Sequence, residues 1–160
     1  MNSIKYPYKL WDAAKHISKA RSILSKDVYA EGTDKYRGKK EERISLQGVM
    51  GELIAQWYCD TYKPYKNVKF SSLIDVSPQP EPDMILQDGT KIDIKTIMIG
   101  DDYCNINVNS HNNPDKKVSW YWCIKLLTET TCAFYFYKHE EIFDWEQKKA
   151  YSEYFTKKVV

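Results

Sequence analysis

No apolar run in the 160-residue sequence approaches the roughly 18 residues that a membrane-spanning helix needs. The opening stretch MNSIKYPYKLWDAAKH lacks the apolar core of a secretion signal. The expectation is therefore a protein that stays in the cytoplasm, or in the host's cytoplasm if the chain is viral, with no membrane partner. CxxC pairs are missing too. Cys59, Cys104, Cys123 and Cys132 stand apart, three of them in strand-like apolar contexts, which points to buried thiols rather than a zinc site completed by His111 or His139. There is no glycine-rich phosphate loop, no GxSxG and no metal-binding histidine pair, so the common small-molecule chemistries have no foothold. Internal repeats, low-complexity tracts, zinc fingers and a separate helix-turn-helix are likewise absent.

What remains is 42% hydrophobic, 14% aromatic and 29% charged, the composition of one folded domain spanning 1–160 with a proper core. Net charge is only +2, but it is unevenly spread. Residues 1–43 carry 11 basic against 6 acidic side chains, and residues 44–160 carry 13 against 16. Such asymmetry suits a phosphate-facing basic segment beside an acidic pocket, although a charge run is also the ordinary dress of a solvated surface.

Residues 9–25 place Leu10, Ala13, Ala14, Ile17, Ala20 and Leu24 at helical spacing, with Lys15, Lys19 and Lys26 turned elsewhere. Residues 30–43 are glycine-bearing and highly charged, and read as a loop or arm that concentrates Lys35, Arg37, Lys39, Lys40 and Arg43. A second helix is expected at about 45–60, capped by Ser45, with Leu46, Val49, Met50, Leu53, Ile54 and Trp57 as its stripe. Glu52 lies beside that stripe among Gly48, Gly51 and Ala55, small residues that let the helix backbone come close to whatever the carboxylate faces. Strand signals dominate from 66 to 138, and residues 140–158 read as a further helix. The arrangement expected is α/β (α+β), a central mixed sheet of about five strands flanked by helices.

The stretch PEPDMILQDGTKIDIKT (80–96) decides the functional reading. Asp88-Gly89 between two strand-like runs signals a hairpin. A two-residue loop sets Asp83 opposite Ile94 and away from Asp93; a three-residue loop at Gln87 to Gly89, with Gly89 left-handed, sets Asp83 directly opposite Asp93. The sequence allows either. The period of two places Lys91, Asp93 and Lys95 on one strand face. Under the three-residue loop, Asp83, Asp93 and Lys95 gather. Opposed carboxylates repel and are costly to bury, and a hard divalent cation such as Mg²⁺ or Mn²⁺ relieves that. The lysine beside them can position or activate a water, or neutralise charge on a phosphate.

These residues, Pro82-Asp83, then nine residues, then Asp93-Ile94-Lys95, with Glu52 on a preceding helix, resemble the PD-(D/E)XK nuclease superfamily and its restriction-endonuclease-like fold over roughly residues 45–125. The resemblance implies a Mg²⁺- or Mn²⁺-dependent endonuclease acting on DNA, with RNA not set aside. Asp83 and Asp93 would be metal-binding acids, the Ile94 carbonyl a further ligand, Lys95 the catalytic lysine and Glu52 an added ligand, directly or through water. On that reading Lys35, Arg37, Lys39, Lys40 and Arg43 would hold backbone phosphates, while Asn107 and His111 would line the same cleft. A homodimer is one way to cut both strands. The contrary expectation, also open, keeps the fold without the chemistry: a nucleic-acid-binding or protein-interaction module, or charge on Lys91, Asp93 and Lys95 that merely wets an edge strand.

Overall fold

Residues 2–28, 39–74, 81–150 and 152–160 are described in a computed structural model of the chain, side chains of 25–28 and 39–42 excepted. In chain order the elements are β1 (Ser3–Lys5), α1 (Lys9–Val28), α2 (Lys39–Tyr62), β2 (Lys69–Phe70), β3 (Met84–Ile85), β4 (Lys91–Ile97), β5 (Tyr103–Asn107) and α3 (Val108–Asn112). A 3₁₀ turn (Pro114–Lys116) follows, then β6 (Trp120–Thr128), β7 (Thr131–Lys138), a second 3₁₀ turn (His139–Asp144), β8 (Glu146–Lys149) and β9 (Glu153–Lys158). This is a mixed α+β fold. One six-stranded sheet runs in the order β1-β7-β6-β4-β3-β2, and a smaller sheet in the order β5-β9-β8.

Within the large sheet β4 and β6 are parallel and the other pairs antiparallel. A parallel pair needs a crossover of a dozen or more residues. Here that crossover is residues 98–119, which carry β5, α3 and the first 3₁₀ turn. Alternation along the central strands divides the interior in two. Ile92 and Ile94 of β4, with Trp122 and Ile124 of β6, join Met50 and Ile54 of α2 in one core beneath the two long helices. Ile97, Tyr121 and Cys123 point the other way, into a second core with Ile106, Val108 and Phe155. All four cysteines are free and buried. Trp122 is fully buried, so base stacking is closed to it.

Helix α1 is tied at its start to the far end of the sheet. The Trp11 indole donates to the Glu129 carbonyl at 2.8 Å, and the Tyr6 hydroxyl donates to the Thr128 carbonyl at 3.0 Å. The buried side of the helix is Trp11, Ala14, Ser18 and Ser22; Leu24, placed by spacing on the apolar stripe, is 39% exposed. Helix α2 begins at Lys39, six residues before the expected start. Lys-Lys-Glu-Glu-Arg are strong helix formers, and Ser45 ends up buried inside the helix rather than capping it.

The expected C-terminal helix is absent, and its place is taken by a 3₁₀ turn and the β8–β9 hairpin. Tyr154-Phe155-Thr156 is a strong strand sequence, and β9 pairs along the edge of β5 that would otherwise stay open. The expected strand through Val108 stops at Asn107. Its side chain accepts from the Ser110 N–H at 3.0 Å and so caps α3.

Candidate functional site

The hairpin takes the three-residue form. The Gly89 N–H donates to the Leu86 carbonyl and the Leu86 N–H to the Thr90 carbonyl, both at 2.9 Å, while Asp88 Oδ1 accepts from the Thr90 N–H at 2.9 Å. Gly89 sits at φ +85°, a conformation that costs glycine nothing and any residue with a Cβ strain. Met84 pairs with Ile92 and Ile85 with Lys91. The same register carried one step further sets Asp83 across from Asp93, with both side chains on one face.

Strand β3 ends at that point, and the Asp83 carboxylate takes over its pairing. Asp83 Oδ2 accepts from the Ile94 N–H at 2.7 Å, satisfying a donor that has no strand partner. In an extended strand the N–H and C=O of one residue point to the same side, so the Ile94 carbonyl also lies on the edge of β4 away from β6. Helix α2 meets this edge, where Gln47 Nε2 donates to the Thr96 carbonyl at 2.5 Å.

Lys95 Nζ lies 2.5 Å from Asp93 Oδ2, their side chains 33% and 27% exposed. Removal from water pulls the Lys95 pKa down, but the charges of Asp93 and Asp83 more than offset this, and the net shift is upward. Asp83 is pushed up to about 8, first by removal from water and then by Asp93 and Glu52, against the pull of Lys95 and the Ile94 N–H.

Glu52 faces the same region but is spoken for. Arg21 of α1 donates through Nη1 to Glu52 Oε1 at 3.2 Å, and Glu52 is 5% exposed. Burial raises its pKa first of all, Arg21 lowers it, and Asp93 adds a smaller upward push. Glu52, expected as an added ligand directly or through water, has one carboxylate oxygen on the Arg21 guanidinium, and its charge also acts on Asp83 and Asp93. The two glycines have separate reasons. A Cβ at Gly51 would fall 2.0 Å from Thr96 Oγ1, so the close approach of α2 to β4 at that point requires glycine, whereas a Cβ at Gly48 would meet Arg21 Nη1 at 3.7 Å and Glu52 Oε1 at 3.9 Å in ordinary contact.

The cleft has a volume of about 260 Å³ and is floored by Asp83, Asp93, Lys95 and Tyr121. Its rim carries Arg21 from α1, Lys91 from β4, and Lys116 and Lys117 from the crossover. Asn107 lines it as expected. His111 does not. It is 2% exposed, its Nδ1 is 2.8 Å from the Tyr121 hydroxyl and its ring stacks on His139 at 3.9 Å, so it cannot touch DNA and serves the second core. Of the basic stretch, Lys35 and Arg37 lie outside the described residues, the side chains of Lys39 and Lys40 likewise, and Arg43 is exposed on α2 and does not line the cleft. Arg21 was legible in principle: it stands four residues after Ile17 and seven after Ala14, a charge at a stripe position of α1.

Among the described residues, no group of three or more His, Cys, Asp or Glu side chains is placed to hold a metal ion. The donors present are two carboxylates and one carbonyl, an all-oxygen set that fits a hard cation completing its shell with water and substrate. Also among the described residues, no helix is long and apolar enough to cross a membrane. Comparison with protein-family models, with curated proteins and with solved structures finds no match.

Proposed function

We propose that the protein is a metal-dependent nuclease of the PD-(D/E)XK kind, hydrolysing phosphodiester bonds in DNA as an endonuclease. The observation that carries the reading is that Asp83, from the end of the hairpin, lines one cleft with Asp93 and Lys95, together with Lys91, Lys116 and Lys117. The order of helix, antiparallel hairpin and parallel strand around that pair supports the resemblance drawn from the sequence.

Asp83, Asp93 and the Ile94 carbonyl would hold Mg²⁺ or Mn²⁺, which when bound supplies Lewis-acid polarisation of a phosphoryl oxygen. The remaining work belongs to side chains. Lys91, Lys116 and Lys117 draw backbone phosphates to the cleft, giving an affinity that falls with salt. The Ile94 N–H fixes one oxygen of Asp83, so the carboxylate pair is held in place before substrate arrives. Lys95 lies beside the acid pair, in contact with Asp93. Its ammonium neutralises the negative charge that grows on the phosphate oxygens as water adds and the P–O bond breaks, leaving a phosphomonoester and a hydroxyl end.

The test is cleavage of supercoiled plasmid, single-stranded DNA, branched DNA and RNA in Mg²⁺, in Mn²⁺ and in EDTA. Wild-type protein is expected to cut only with metal, and Asp93→Ala and Lys95→Ala to lose at least about a hundredfold in rate. Equal nicking by the variants means a contaminant or another site. A second reading, binding without cleavage, draws on one contact: the Lys95 ammonium already offsets part of the acid charge at 2.5 Å. Tight binding with no cutting of any substrate decides for it.

A further inference from the structure

We propose that Arg21 is a phosphate-binding residue of the cleft and that Glu52 is its anchor; the ligand class, a nucleic-acid backbone, rests on the function proposed above. Arg21 belongs to α1, outside the stretch that carries the motif, yet its side chain lines the same cleft as Asp83, Asp93 and Lys95 and is 25% exposed. Among the described residues its hydrogen-bond partner is Glu52, reached through Nη1 at 3.2 Å. A guanidinium has five N–H donors in a fixed fork, so one bond to Glu52 orients the group and leaves most of the fork unused.

The pair packs against α2 at Gly48, where a Cβ would meet Nη1 at 3.7 Å and Oε1 at 3.9 Å, ordinary contact that would leave the pose intact. Glu52 is buried, and its Oε1 holds the guanidinium. Phosphate approaching the cleft would be repelled by Asp93, and Arg21 lines the same cleft; a guanidinium can bond two phosphate oxygens at once. The alternative is that Arg21 only neutralises Glu52. The two roles part when both charges are removed together.

The experiment uses the full chain and a labelled single-stranded oligonucleotide of about 20 nucleotides, with binding followed by fluorescence anisotropy in EDTA across a KCl series. Thermal melts of each protein accompany it. Arg21→Gln is expected to weaken binding about tenfold, to flatten the salt slope by about 0.7 and to lower the melting temperature, because Glu52 is left buried without a partner. Arg21→Gln with Glu52→Gln restores the melting temperature but not the affinity, and Arg21→Lys recovers part of the affinity because charge is kept and the fork is lost. Recovery of wild-type affinity in the double variant overturns the proposal, as does a wild-type affinity and slope in Arg21→Gln. Cleavage of the same oligonucleotide in Mg²⁺ is scored in parallel. A protein that binds through Arg21 and never cuts retains this inference and loses the nuclease; one that cuts with KM unmoved by Arg21→Gln does the reverse; wild-type protein that binds no oligonucleotide removes both.

Discussion

Two glycines three residues apart on α2 should respond to the same substitution with opposite signs. Gly→Ala inside a helix is worth roughly 0.5–1 kcal/mol, because alanine loses less backbone freedom on folding. At Gly48 nothing opposes that gain, the new methyl meeting its neighbours at 3.7 Å and 3.9 Å in ordinary contact. At Gly51 the methyl would sit 2.0 Å from Thr96 Oγ1, 3.2 Å from Thr96 Cβ and 3.3 Å from Ile94 Cγ2. Thr96 is β-branched and buried in the sheet, so it cannot swing aside, and the helix has to lift from β4. Overpacking of this kind costs about 1–3 kcal/mol, which outweighs the propensity gain. For a chain of this size each kcal/mol moves the melting temperature about 2–4 °C. Gly48→Ala is therefore expected to melt a few degrees higher than wild type and Gly51→Ala several degrees lower. Thr96→Ala, which removes a hydroxyl that has no hydrogen-bond partner, should partly rescue the latter. Urea unfolding followed by circular dichroism gives the free energies. A Gly51→Ala protein as stable as wild type would refute the packing of α2 on β4.

The raised pKa of Asp83 gives a pH dependence of defined sign. Its folded value, about 8, lies above the ordinary carboxyl range, so its contribution to stability is present in acid and is lost as pH rises through about 8. In melts without metal, Asp83→Asn should flatten that decline and exceed wild type at pH 9, and Mg²⁺ at pH 9 should raise the wild-type melting temperature alone. His111 runs the other way: burial, with His139 beside it, lowers its pKa to about 4, so stability falls as pH drops from about 6.5 towards 4. His111→Gln should make that acid limb shallower.

Much of the candidate site was open to reading because its determinants are local. Asp88-Gly89 fixes a hairpin, and a period of two groups Lys91, Asp93 and Lys95 whatever the rest of the chain does. The turn length was not local: either loop satisfies the sequence, and what selects the longer one is that it buries Met84 and Ile92 together under α2. The part played by Arg21 was hidden for a similar reason, since its partner is 31 residues away on another helix. At the C-terminus, Phe143, Ala150 and Tyr154 do fall at helical spacing, but the open edge of β5, about fifty residues earlier in the chain, drew the segment into a hairpin. His111 looked like a loop histidine until the fold brought His139 and Tyr121 against it.

The central claim is that Asp83 and Asp93 form one oxygen site for a hard dication, and crystals soaked in MnCl₂ test it most directly. The account predicts an anomalous difference peak in coordination contact with both carboxylates, with the Lys95 ammonium displaced from its present contact with Asp93. Crystals that show no manganese in the cleft, with Lys95 still on Asp93, contradict it.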